Sequence, residues 1–244
     1  MSAEQIILFD LPSKPPNSSW SLNPWKTRML LNFKGLDYKT EWLEFPEIRP
    51  TLESRVPPND PGAYKEFTVP TVRLPDGNYV QDSRKIASVI EQKYPDPPVH
   101  LDAPCLAKLE ALIVPVTLPL RPIMWGRIPD SLLNKPSYDH FFVHRPPVVG
   151  MPLDQYEREE GGEKAYAASE PALRQVTELL NENQDGPFFL GNQPSYTDFV
   201  WAGFLIFIRR IGEDFYEEVL RRTGDPDAHA RLLKAVEPWT KKND

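Results

Sequence analysis

A chain of 244 residues, 40% of them hydrophobic and 26% charged, can bury one large core or two modest ones, so it is globular rather than disordered. Its formal net charge of −7 opposes nonspecific nucleic-acid binding, which needs Lys and Arg to displace counterions from phosphates; the local pairs Arg209 with Arg210 and Arg221 with Arg222 are solvated helix faces among Glu213, Glu217 and Glu218. The single cysteine, Cys105, excludes an intramolecular disulfide, no apolar run approaches the roughly 20 residues that span a bilayer, and no signal pattern opens the chain, so the expected compartment is the cytoplasm.

Residues 5–11 read as a strand, 24–34 as a helix and 38–44 as a second strand, which makes a β-α-β opening. Gly35 stands just past the helix, where a left-handed cap is often required. Five prolines between 45 and 65, with the run Pro58-Asn59-Asp60-Pro61-Gly62, predict an irregular loop holding at most one short turn. Strands over 68–74 and 78–81 flank Pro75-Asp76-Gly77, whose Asp-Gly pair favours a tight hairpin, and residues 83–94 form an amphipathic helix. Pro95, Pro97 and Pro98 mark a linker, beyond which strand-like segments disappear. Helices are predicted near 105–125, 163–183, 197–212, 214–222 and 227–236, with Pro115, Pro119 and Pro122 distorting or breaking the first. Residues 126–162 are rich in Pro, Asp and aromatic side chains and read as an extended surface excursion. The expected fold class is α/β plus all-α: a βαβ-ββα domain over 1–94, a linker over 95–104 and a helical domain over 105–244.

Three segments carry candidate chemistry. The first, Ser21-Leu22-Asn23-Pro24-Trp25-Lys26-Thr27-Arg28, opens the first helix. A helix start presents free backbone N–H groups and positive partial charge, which stabilise a thiolate, and a serine hydroxyl would donate a further hydrogen bond to sulfur. The competing reading is that Ser21 or Asn23 caps the helix with Pro24 in its first turn, and Ser18 and Ser19 are rival hydroxyls. The second is Val69-Pro70, either a turn or a cis bond that would offer the Val69 backbone to an extended peptide ligand. The third is Gln81-Asp82-Ser83: Asp82 suits an ammonium, Ser83 and the helix N-terminus suit a carboxylate, and capping by either is the alternative.

Other groups read as structural. Ser195-Tyr196-Thr197-Asp198 fits an acidic capping box, which gives Asp198 a folding role. His140 and His144 share a helical spacing without a clear third ligand, so no metal site is expected, and Cys105 reads as a buried small residue. There is no convincing Ser-His-Asp order, P-loop or Gly-rich dinucleotide turn.

In their order along the chain the three segments resemble the glutathione transferase superfamily across nearly its whole length. The resemblance implies a thioredoxin-like N-terminal domain that takes glutathione as co-substrate and a C-terminal helical domain that completes an acceptor site. It implies that Ser21 and Asn23 are catalytic, that Val69 and Pro70 form a cis-proline backbone site, and that Asp82 and Ser83 hold the γ-glutamyl end. Residues 21–28 look most like the fungal FuA class and its bacterial β-etherase relatives, although those commonly have Ser-Pro where this chain has Ser21-Leu22. Serine in place of cysteine resembles a conjugating site rather than a disulfide-exchange site. The activity implied is transfer of glutathione to an electrophilic, aromatic substrate, with aryl ether cleavage as a narrower form. The implied partners are glutathione, a hydrophobic or aromatic small molecule and a second copy of the chain, with no nucleic acid and no membrane. The main alternative is a non-catalytic glutathione and aromatic-ligand binding protein, with Trp20, Trp25, Met124, Trp125, Phe141 and Phe142 as apolar surface; a transferase-like fold used for protein interaction is the third.

Overall fold

The computed structural model describes residues 5–62 and 65–243. Strand β1 (Ile6–Asp10) leads to α1 (Leu22–Phe33) and β2 (Tyr38–Trp42), then to a 3₁₀ turn (Phe45–Glu47) and α2 (Ile48–Leu52). Strands β3 (Thr71–Arg73) and β4 (Tyr79–Gln81) precede α3 (Ser83–Lys93). The sheet order is β2-β1-β3-β4, with β1 parallel to β2 across the α1 crossover and antiparallel to β3. The Asp76-Gly77 hairpin forms, with Gly77 at φ 85° and its N–H donating to the Leu74 carbonyl at 2.9 Å. The loop expected after β2 carries one short helical stretch, the 3₁₀ turn running into α2, which buries Leu52, and residues 53–62 form no further helix or strand.

The second half contains α4 (Pro104–Leu132), α5 (Lys135–His144), α6 (Pro146–Val149), α7 (Leu153–Glu160), α8 (Gly162–Leu180), α9 (Tyr196–Ile211), α10 (Glu213–Arg222) and α11 (Pro226–Val236). None of the described helices is long and apolar enough to cross a membrane. Two expectations are corrected here. Helix α4 runs unbroken through Pro115, Pro119, Pro122 and Pro129. A proline frees the carbonyl four residues earlier, and for the first three these belong to Ala111, Pro115 and Leu118, all on the exposed side of α4, where water can satisfy them. Residues 126–162 are not an extended excursion either: they hold the end of α4 followed by α5, α6 and α7, which bury Phe141 and Leu153.

Helix α9 is buried on nearly every side, as a central core helix must be. Its start carries the predicted capping box: Asp198 accepts from the Ser195 N–H at 2.6 Å, the Ser195 hydroxyl at 2.8 Å and the Phe189 N–H at 2.9 Å. Gly203 lets α1 seat on α9, since a Cβ there would lie 3.0 Å from the Leu22 carbonyl oxygen. The C-terminal tail then returns along α1, with Asn32 Nδ2 donating to Trp239 O at 2.6 Å and the Ser19 N–H donating to Asn243 O at 2.9 Å.

His229 lies fully buried in the C-terminal half. Trp201 Nε1 donates to its Nδ1 at 2.8 Å, so the proton sits on Nε2 and is given to Thr177 Oγ1 at 2.9 Å, whose own hydrogen reaches Thr223 O at 2.9 Å. The neutral ring is fully satisfied, and burial pulls its pKa from 6.5 down to about 4. A pKa depressed in the fold means that the stability tied to the neutral ring is complete above the unfolded pKa and is lost as pH falls toward 4, about 3 kcal/mol in all. Asp198 acts with opposite sign, since burial lifts its pKa to about 6 and acid then favours the fold. The two partly cancel in the wild type, so the expected observable is a difference: the stability gap between wild type and His229→Gln, measured by urea unfolding, should narrow as pH falls from 7 to 4.5.

Candidate active site

The sheet register brings the three predicted segments to one edge. Phe9 at the end of β1 pairs with Thr71, and Thr71 pairs with Gln81 at the end of β4. The chain therefore leaves β1 toward Ser21, enters β3 from Val69-Pro70 and leaves β4 into Asp82-Ser83 at the same end of the sheet.

Ser21 occupies the N-cap position of α1 at φ −78°, ψ 140°, yet its side chain makes no capping hydrogen bond. Only its carbonyl serves the helix, accepting from the Trp25 N–H at 3.2 Å. The half-buried hydroxyl is thus available to a ligand, while Asn23 is exposed on the first turn. The Val69-Pro70 bond is cis, with Val69 half-buried and Pro70 buried. Asp82 does cap α3: its Oδ1 accepts from the Arg84 and Lys85 N–H groups at 2.9 and 3.0 Å, leaving Oδ2 outside both bonds. Asp82 also stands at φ 75°, a region that costs a residue with a side chain on the order of 1–3 kcal/mol and that collects at functional sites. Ser83 is buried, and its carbonyl accepts from Tyr196 Oη at 2.9 Å, tying α3 to the start of α9.

Four further residues shape this edge: Lys26, Arg28 and Gln81 stand in the predicted segments but were given no role there, and Asp10 was not named. Lys26, on α1, has its pKa pulled down to about 8 by burial, against the opposing pull of Glu110 and Asp82, which favour its charge. The signal was a lone lysine within an otherwise apolar helix stripe. Gln81 stitches the loop ahead of β3, with Nε2 donating to Pro57 O at 2.6 Å and Glu66 O at 3.2 Å while Oε1 accepts from the Thr68 N–H at 3.2 Å. Asp10 and Arg28 form an ion pair at 2.7 Å, both side chains fully buried, between the end of β1 and α1.

An aromatic chain leads from this edge into the helical half. Trp20 meets Phe45 at 6.5 Å, Phe45 meets Phe141 at 6.3 Å, and Phe141 meets Trp125 at 6.1 Å between ring centroids. The guanidinium groups of Arg121 and Arg145 each lie 5.1 Å from the Trp125 ring. Trp20, Trp25, Met124 and Phe141, expected as acceptor surface, are core residues at 3–6% exposure; Trp125 is half-buried and Phe142 exposed. His140 and His144 stack at 3.9 Å on α5, and Cys105 is buried with Sγ 3.4 Å from Thr197 Oγ1.

Residues 20–93 match the family model of the glutathione S-transferase N-terminal domain, and residues 109–239 match that of the glutathione S-transferase C-terminal domain. The glutathione S-transferase-like protein ustS of Aspergillus flavus is 28% identical over 234 residues, covering 88% of this chain and 84% of the relative. Among solved structures, glutathione transferase GSTFuA3 of Phanerochaete chrysosporium superposes with TM-score 0.82 at 28% identity, covering 98% of each chain. A glutathione S-transferase of Ceriporiopsis subvermispora, solved in complex with glutathione, superposes with TM-score 0.83 at 29% identity, covering 97% of this chain and 98% of that one. With the C-terminal match alone spanning more than half of its length, and the sheet edge and helix order agreeing with both halves, the chain belongs to the glutathione S-transferase family.

Proposed function

We propose that this protein is a glutathione transferase in which Ser21 stabilises the glutathione thiolate for attack on an aromatic electrophile. The observation that carries the reading is the register row Phe9, Thr71, Gln81, which gathers an uncommitted serine hydroxyl, the Val69 backbone and the N-terminus of α3 at one sheet edge. Glutathione laid along that edge puts its sulfur at Ser21 and the start of α1, its central backbone against Val69, and its γ-glutamyl end at Asp82 and Ser83. Asn23 and the free N–H groups of α1 assist the thiolate. Lys26, which feels the Asp82 charge, then faces the γ-glutamyl carboxylate.

The thiolate forms a carbon–sulfur bond as the leaving group departs with its electron pair. In the narrower case of an aryl ether activated by an adjacent carbonyl, the leaving group is a phenolate. Trp125, with two guanidinium groups on its ring, suits both an aromatic body and a developing phenolate charge.

Calorimetric titration with S-methylglutathione, which has no titrating thiol, tests the assignment. Asp82→Asn keeps an oxygen to cap α3 but removes the charge, and should weaken binding roughly tenfold, as loss of a charge-assisted hydrogen bond does. Binding of an aromatic acceptor analogue should change less, and the reverse ranking rejects the γ-glutamyl role. Lys26 loses its charge as pH rises through about 8. Wild-type affinity for S-methylglutathione should therefore fall faster between pH 7 and 9 than that of Lys26→Met; parallel curves would remove Lys26 from the site.

A further inference from the structure

Between α1 and the C-terminal helices lies a cavity of about 500 Å³, within the size range of small-ligand pockets. It is bounded by Ser18 and Ser19 ahead of α1, by α1 itself, the later turns of α9, Tyr216 of α10, α11 and the C-terminal tail, and none of Ser21, Val69, Asp82 or Ser83 lines it. Its apolar wall comes from Trp25, Ile206 and Leu233.

Trp25 is 3% exposed, and its Nε1–H is buried with no hydrogen-bond partner among the described residues. Other buried indoles in the chain are satisfied: Trp20 Nε1 donates to Pro12 O at 3.0 Å and Trp201 Nε1 to His229 at 2.8 Å. A buried donor left unmatched is rare because its lost hydration is not replaced, so the Trp25 N–H calls for an acceptor that the chain itself does not supply.

The mouth is cationic. Arg209 is tied to Glu213 at 3.0 Å, but Arg210 makes only a 3.3 Å bond to Ser13 Oγ, and neither Arg210 nor Lys234 has an ion-pair partner among the described residues. Glu237 is the one carboxylate in the lining. An occupant must therefore offer an apolar body, an oxygen acceptor for the indole and a negative charge for the mouth.

We propose that this cavity is a second small-molecule site that binds an aromatic carboxylate bearing a further oxygen substituent. The ring lies against Trp25, Ile206 and Leu233, the substituent oxygen accepts from Trp25 Nε1, and the carboxylate faces Arg210 and Lys234. With Ser21 as the partner of the thiolate, as proposed above, the site takes no part in the thiol chemistry, and its occupancy is independent of glutathione.

The probe is 6-hydroxy-2-naphthoate. In isotope-labelled protein the Trp25 indole N–H resonance, identified by its loss in Trp25→Phe, should shift and saturate on titration, with the same apparent affinity when glutathione is saturating. Arg210→Ala and Lys234→Ala, both exposed positions outside the glutathione edge, should each weaken binding roughly threefold and together about tenfold. Calorimetry on these two variants gives that comparison even if Trp25→Phe does not fold. The neutral analogue 2-naphthol should be indifferent to both substitutions. An indole resonance that does not move overturns the proposal. So does equal affinity in the double variant, or displacement by glutathione, which would put the naphthoate in the glutathione cleft.

Discussion

Replacing Ser21 with alanine should slow glutathione conjugation at neutral pH roughly ten- to a hundredfold while changing glutathione affinity much less. A hydrogen bond to a charged group contributes about 1.5–3 kcal/mol, and each 1.4 kcal/mol is a factor of ten in rate. The hydroxyl is not spent on α1, because Ser21 makes no side-chain cap, so the substitution leaves the helix intact. A thiol with an ordinary pKa near 8.5 is only a small fraction thiolate at pH 7, and losing the donor raises the pKa of the bound thiol in the variant. The α1 N–H groups and Asn23 keep part of the activation, so residual activity is expected. Thiolate absorbance against pH, together with the rate, should be measured for wild type and for Ser21→Ala, Ser18→Ala and Ser19→Ala. An unchanged titration and rate in Ser21→Ala beside a shifted Ser18 or Ser19 variant would move the role to that serine.

The second large effect is on stability. Arg28→Met should cost about 3–5 kcal/mol, the usual consequence of stranding one partner of a buried ion pair. Arg28 Nε lies 2.7 Å from Asp10 Oδ2 with both side chains fully buried, and Arg28 Nη2 also donates to Thr40 Oγ1 at 2.8 Å. Burial already pushes the Asp10 pKa up, and Arg28 is the first influence holding it down. Without the guanidinium the carboxyl rises further. A carboxyl whose folded pKa lies above its unfolded value favours folding at low pH, so Arg28→Met should regain stability relative to wild type as pH falls. Adding Asp10→Asn removes the stranded charge and should recover part of the loss at neutral pH. Urea unfolding of the wild type and these two variants at pH 5 and 7.5 decides the matter: a loss under about 1 kcal/mol in Arg28→Met, flat with pH, would mean that the pair does not hold α1 to the sheet.

Much of this architecture was readable because it is written locally. The strand periods of β1 and β2, the Asp76-Gly77 turn and the Ser195 to Asp198 box each depend on a few neighbouring residues whose backbone preferences agree with the final fold. Asp198 is the clearest case: its box spacing announced a structural role, and its three donors bear that out. The aromatic residues were harder. Trp20, Trp25 and Phe141 look alike in sequence whether they line a cleft or fill a core, since only the opposing helices decide which face is covered.

By itself, the sequence determined the order of the four strands and of the longer helices, though not α5 to α7, together with the two-part plan and the three segments that carry candidate chemistry, because periodicity, turn chemistry and capping act over a few residues. Tertiary structure alone decided which polar groups are already committed. Ser21 and Asp82 were equally plausible caps, yet Asp82 caps α3 while the Ser21 hydroxyl does not cap α1, a difference set by backbone geometry at each helix entry. Tertiary structure likewise carried α4 through its prolines, where the cost depends on whether the freed carbonyl meets water or core. The same holds for Lys26, Gln81, and Asp10 with Arg28: the partners of a charge or an amide lie far away in the chain, and no local pattern encodes the distance between them.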